Sequence, residues 1–136
     1  MRGVPALSTS RASEPPPGLR VRHGRHGRAV VVGLAGEIDL HSTPTLVRAL
    51  AEALDRARPP APVVVDMAGV GFLACCGAAG LVRAHHRALA LGTELRLAAV
   101  TPEVGRALEV LGADRRLLLR RSVAVALAAP GTTGER

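Results

Sequence analysis

The stretch from Val63 to Gly80, Val-Val-Val-Asp-Met-Ala-Gly-Val-Gly-Phe-Leu-Ala-Cys-Cys-Gly-Ala-Ala-Gly, constrains the fold more than any other part of the chain. A β-branched run that ends in Asp66 reads as a buried strand, and the Gly/Ala-rich segment after Leu73 reads as a tight loop opening a helix. Cys75 and Cys76 sit at that opening. The first N–H groups of a helix have no acceptor inside it and carry the positive end of its dipole, which makes a small anion site. A modifiable side chain placed there is electrostatically primed, so Cys76 is the first residue to ask about. Cysteine is also among the most buried residue types, a small apolar filler between strand and helix. The residues alone leave both readings open.

The 136 residues, 48% of them hydrophobic, are enough for one core and so for a single domain. No apolar run approaches the roughly 20 residues of a membrane-spanning helix. Met1 to Gly18 has no hydrophobic stretch of the signal-peptide kind, so the chain reads as cytoplasmic. The two cysteines are neighbours, and consecutive Cα atoms lie closer (~3.8 Å) than the usual disulfide span, which excludes a disulfide framework. Phe72 is the only aromatic residue, so the stacking surfaces of a single-strand nucleic-acid binder are missing. The formal charge of +7 comes entirely from arginine among the basic residues, and Arg2, Arg11, Arg20, Arg22 and Arg25 lie in the first 25 positions. Together with abundant Ala, Gly and Pro this fits a compositional bias better than a nucleic-acid groove.

In chain order, residues 1–18 read as a disordered tail rich in Ser, Pro, Ala and Arg. Leu19 to His23 alternates as an edge strand, Gly24 to Gly27 supplies a turn, and Ala29 to Leu34 gives a more buried strand. Gly36-Glu37-Ile38-Asp39-Leu40 follows. Ser42 or Thr43 can cap a helix with Pro44 at its first position, and Leu46, Val47, Leu50, Ala51 and Leu54 form its apolar stripe up to Arg58-Pro59-Pro60. After the central strand, Gly77 to Leu91 reads as a helix that turns Arg83, His86 and Arg87 outward. Glu94 to Val100 alternates into another strand. Thr101-Pro102-Glu103 opens a helix carrying Val104, Leu108 and Leu111, Leu117 to Leu119 is a last short strand, and Val123 to Ala129 a terminal helix. Residues 130–136 are a tail. A hairpin followed by strands alternating with helices implies an α/β fold: a mixed sheet of about five strands with four helices packed mainly on one face, spanning residues 19–129. Neither His23 with His26 nor His85 with His86 completes a metal-ligand set, so no metal or cofactor is expected.

The run Val63 to Leu73, followed by a four-residue loop ending in Gly77, resembles the STAS domain of anti-sigma factor antagonists. Gly36-Glu37-Ile38-Asp39 is similar to the Gly-Glu-Leu-Asp signature of that family, and Thr101-Pro102-x-Val104 with Leu108-x-x-x-Gly112-x-Asp114-Arg115 to its third-helix pattern. The resemblance implies a binding switch and no enzyme: a cytoplasmic monomer or weak dimer that holds an anti-sigma factor of the serine-kinase type and so releases a sigma factor. It assigns the partner surface to Asp39, to the loop Ala74, Cys75, Cys76 and Gly77, and to the outer face of the following helix. In the family the loop reads Asp-Ser-Ser-Gly and its second Ser accepts phosphate. Here Ala74 replaces the Asp and Cys76 the acceptor, so phosphorylation at Cys76 is not expected. Nucleic acid and membrane are not expected as partners. A thiol-based alternative uses Cys76 as a redox sensor, or as a nucleophile with His41 or His85 as base and Asp39 as orienter.

Overall fold

The computed structural model describes residues 18–131. Leu19 and Val21, alternating with Arg20 and Arg22, begin β1 (Leu19–His26), which pairs antiparallel with β2 (Ala29–Ile38). The turn is narrower than the expected Gly24 to Gly27. Gly24 pairs with Val31 inside the ladder, which runs on to His26 opposite Ala29, and only Gly27 and Arg28 connect the strands. A two-residue hairpin favours positive φ at its first position, and Gly27 supplies it at 60° without a Cβ clash.

The chain continues through α1 (Thr43–Asp55), β3 (Val63–Leu73), α2 (Cys75–Ala90), β4 (Leu95–Ala98) and α3 (Pro102–Val110). A 3-10 turn at Ala113–Arg115, β5 (Leu118–Arg120) and α4 (Val123–Ala128) complete it. The sheet order is β1-β2-β3-β4-β5, parallel from β2 onward. The expected mixed five-stranded sheet with four helices is therefore found. Its main core lies where Val30, Val32, Val63, Val65, Leu95 and Leu97 meet Leu46 and Leu50 of α1, Leu81 of α2, and Val104 and Leu108 of α3. The alternate residues Val31, Val64 and Ala98 face the other way, under Val123, Ala126 and Leu127 of α4.

β3 runs seven residues past Asp66 because two bulges keep its apolar residues inward. Val63, Val65 and Met67 are buried at steps of two, but Val70 and Leu73 follow at steps of three. Each longer step coincides with an extra residue in β3 opposite β2, first between the Gly33–Asp66 and Ala35–Gly69 pairs and then between Gly36–Val70 and Glu37–Phe72. Without the bulges Val70 would point to the wrong face.

Four smaller expectations are corrected. In α1 the buried residues are Leu46, Ala49, Leu50, Ala53 and Leu54, while Val47 is exposed. Leu111 is exposed beyond the end of α3. The last strand is Leu118–Arg120, shifted one residue, with Leu117 in the core. The strand expected over Glu94 to Val100 is shorter, Leu95–Ala98, and Glu94 and Arg96 do not reach solvent. They are buried as an ion pair, Arg96 Nη2 to Glu94 Oε1 at 3.0 Å, with the Arg96 guanidinium also donating to the carbonyls of Ala126 and Ala129 at the end of α4. The tails assigned to residues 1–18 and 130–136 lie, but for Gly18, Pro130 and Gly131, outside the described residues. No described helix is long and apolar enough to cross a membrane.

Because β2, β3 and β4 run parallel, the N-termini of α1, α2 and α3 all gather at the carboxyl edge of the sheet. That edge is where open α/β sheets place their sites.

Candidate functional site

Two connections meet at this edge. After β2, Ser42 and Asp39 lock each other: Ser42 Oγ accepts from the Asp39 N–H at 2.9 Å, and Asp39 Oδ1 accepts from the Ser42 N–H at 2.9 Å. The Ser42 hydroxyl donates onward to the Glu37 carbonyl at 2.7 Å, and that of Thr43 to the Asp39 carbonyl at 2.7 Å. Ser42 thus stands at the cap position of α1, but its hydroxyl turns back to brace the loop and does not cap the helix. The Ser42 N–H, more than the Ser42 hydroxyl or His41, holds the Asp39 carboxyl below its ordinary 3.8, against the opposing effect of desolvation. The residue is half-exposed and ionised at neutral pH, flanked by exposed Leu40 and His41.

The second connection, between β3 and α2, is a single residue where four were expected. Ala74 occupies the cap position with φ −79° and ψ 162°, and Cys75, Cys76 and Gly77 already form the first turn of α2. The Ala74 N–H donates to the Ile38 carbonyl at 2.8 Å and ties this connection to the first. Alanine has no side-chain acceptor to offer, so the helix starts without a side-chain cap. Its first internal bond runs from the Ala78 N–H to the Ala74 carbonyl at 3.0 Å. The three N–H groups before it have no acceptor within the helix.

The two thiols are free and part company at once. Cys76 is half-buried, its Sγ 3.2 Å from Thr43 Oγ1 of α1. The one proton of that hydroxyl is given to the Asp39 carbonyl, so the Cys76 S–H is the donor in this contact. Cys75, about 100° further round the helix, is exposed and lines a groove against the segment that follows α3. Gly77 is buried. A Cβ there would collide with Ile38 Cγ2 and lie 2.9 Å from Leu73 Cδ1, so its part in the site is to let α2 approach the strand ends. Asp39, Thr43 and Cys76 are therefore brought together, with Ala74 stitched beside them and Gly77 behind.

No base faces the thiol. His85 lies nine residues along α2 from Cys76, about 13.5 Å at the helical rise. It is buried, its Nδ1 has no hydrogen-bond partner, and burial together with neighbouring His86 pushes its pKa below 6.5. His41 is exposed, and the group that meets Cys76 is Thr43. The nucleophile alternative built on Cys76 and His41 or His85 thus loses its base, and the redox alternative gains no support. No group of three metal-ligating side chains occurs among the described residues.

Sequence reasoning assigned Thr43 a capping role and missed its contact with Cys76, which no local pattern announces across 33 positions. It also missed that Leu40, Phe72, Val110 and Leu111 stand exposed.

Residues 21–126 match the family model of the STAS domain. The chain belongs to the STAS family. Its relatives include the anti-anti-sigma factor candidate Rv2638 of Mycobacterium tuberculosis, 33% identical over 116 residues that cover 85% of this chain and 78% of that one. The anti-sigma-F factor antagonist RsfA of the same species is 29% identical over 94 residues, covering 69% and 73%. The crystal structure of an anti-sigma factor antagonist from Mycobacterium paratuberculosis superposes with a TM-score of 0.73 at 26% identity, over 83% of this chain and 94% of that one. In this STAS domain the helix start that could hold an anion is intact, and the side chain presented there is a thiol.

Proposed function

We propose that this STAS-domain protein is an anti-sigma factor antagonist that acts by binding, as a cytoplasmic monomer or weak dimer, and not by catalysis. Its partner is an anti-sigma factor of the serine-kinase type, held at the edge formed by Asp39, Ala74, Cys75 and Cys76 with Gly77 beneath. Neither nucleic acid nor membrane is part of this reading. The observation that carries it is the joining of the two connections: the Asp39 loop and the start of α2 are fastened through Ala74 to Ile38 and through Thr43 to Cys76, so one partner can read both. The names of the relatives support the same role.

Cys76 stays unphosphorylated. The hydroxyl that such a kinase would use is absent, and so is the Asp expected at position 74. Binding is then constitutive, since a dianionic phosphate at the helix start would otherwise obstruct the partner.

The test begins with a serine-kinase-type ATPase retrieved by affinity capture from the native lysate and then purified. Calorimetry with the wild-type protein should give saturable binding, and intact-mass spectrometry after incubation with ATP should show no added phosphate. An absence of binding overturns the role. A phosphate mapped to Cys76 overturns the constitutive mode. The double change Ala74→Asp with Cys76→Ser should restore modification more than either alone.

A further inference from the structure

A groove of about 320 Å³ runs between α2 and the segment following α3, floored by Cys75, Ala79 and Val82 on one side and Leu111 and Ala113 on the other. Through Cys75 and Leu111 it continues into a second depression of about 380 Å³ beside Ala107 and Val110. Val110 is 82% exposed and Leu111 45%, an unusual placement for two aliphatic side chains at the end of a helix. Arg83 and Arg116 stand at the rim of the first depression and Arg106 at that of the second. No carboxylate lines either depression among the described residues. Among the described residues none of the three arginines forms an ion pair.

We propose that this groove receives an acidic amphipathic segment of the protein partner, its apolar side chains on the floor and its carboxylates on Arg83, Arg106 and Arg116. The proposal rests on the partner-binding reading, because the groove opens on Cys75 and is continuous with the surface assigned there. Shape decides against a small molecule. Such ligands are enclosed over most of their surface, whereas these depressions are open and Val110 stands clear of the floor. An amphipathic helix laid along a groove buries such residues, and charge at the rim sets which segment is accepted.

The probe is a fluorescein-labelled synthetic helical peptide of about four turns with Leu on one face and Glu on its flanks, compared with the same peptide carrying Lys for Glu. In anisotropy titrations the Glu peptide should bind and the Lys peptide should not. Affinity should fall on raising salt from about 50 to about 300 mM. Arg83→Glu with Arg116→Glu should weaken it about tenfold or more, and Val110→Ser should weaken it without disturbing the circular dichroism. Asp39→Asn should leave peptide binding unchanged while weakening the anti-sigma partner. A Glu peptide that does not bind, or that binds the charge-reversed protein equally, overturns the groove. If the partner binds but neither the double arginine variant nor Val110→Ser alters its affinity, the groove fails and the function stands. If the Glu peptide binds as expected and no anti-sigma factor does, the function fails and the groove's chemistry stands.

Discussion

The Asp39 carboxylate braces its own loop and, under the proposed function, also faces the partner, and its variants separate the two. Asp39→Ala removes the acceptor of the Ser42 N–H, so the loop loosens and the melting temperature falls. Asp39→Asn keeps an oxygen acceptor in place and removes only the charge. Stability should then be retained while partner affinity drops, as calorimetry beside thermal melts would show. Two side chains also give stability a pH signature. Asp39 has a folded pKa below 3.8, so its contribution is complete above that value and is lost as pH falls through the lowered one. His85 has a folded pKa below 6.5, so the unfolded chain takes up its proton first and stability declines as pH falls from 6.5. Between about pH 7.5 and about pH 5.5 the melting temperature should decrease in the wild type and decrease less in His85→Leu. Equal pH dependence in both would exclude His85 as the source. At this scale Asp39 and Cys76 were legible, because each sits in a recognisable local run. That Cys76 meets Thr43 while Cys75 meets a groove was not, since helical rotation sends neighbouring thiols to different neighbours.

At the scale of elements, the start of α2 lacks two features that stabilise a helix end. Ala74 holds the cap position without an acceptor, and the first turn has no acidic residue against the helix dipole. Ala74→Asp should therefore stabilise the fold by about 1 kcal/mol, read from urea unfolding. A change in the opposite direction would mean that the first-turn N–H groups are already satisfied. Gly77→Ala should destabilise by roughly 1–3 kcal/mol, because its new methyl enters a packed junction of Ile38 and Leu73. That variant reports packing and not partner contact. The first four residues of β3 were legible from their β-branched run. The remaining seven were not, because the two bulges replace a period of two by steps of three, and Met67-Ala68-Gly69-Val70-Gly71-Phe72-Leu73 matches neither strand nor helix when read along the chain. The start of α2 was misplaced for a related reason. Glycine at its third position suggests a loop, whereas close packing is what requires it.

Across the whole molecule, the buried pair of Glu94 and Arg96 ties α4 to the sheet beside the apolar contacts of Val123, Ala126 and Leu127. Six residues are too few to hold a helix by themselves, and α4 has no basic residue in its last turn. Arg96 supplies the missing charge from β4, bonding the carbonyls of Ala126 and Ala129 while its guanidinium faces Glu94. The alternation of Glu94 to Val100 announces a strand but not this pairing, because the carbonyls that Arg96 meets come some 30 residues later. Arg96→Ala should destabilise the protein by about 3–5 kcal/mol, since it strips the guanidinium from a buried carboxylate and from the end of α4 together. The double change Arg96→Met with Glu94→Leu removes both charges and keeps apolar volume, so most of that loss should be recovered in urea unfolding. The carbonyls of α4 still lack their donor in the double variant. Amide exchange over Val123 to Ala129 should then stay faster than in the wild type even where global stability has returned. If exchange slows in step with stability, α4 is held by the contacts of Val123, Ala126 and Leu127 alone, and Arg96 does no more than neutralise Glu94.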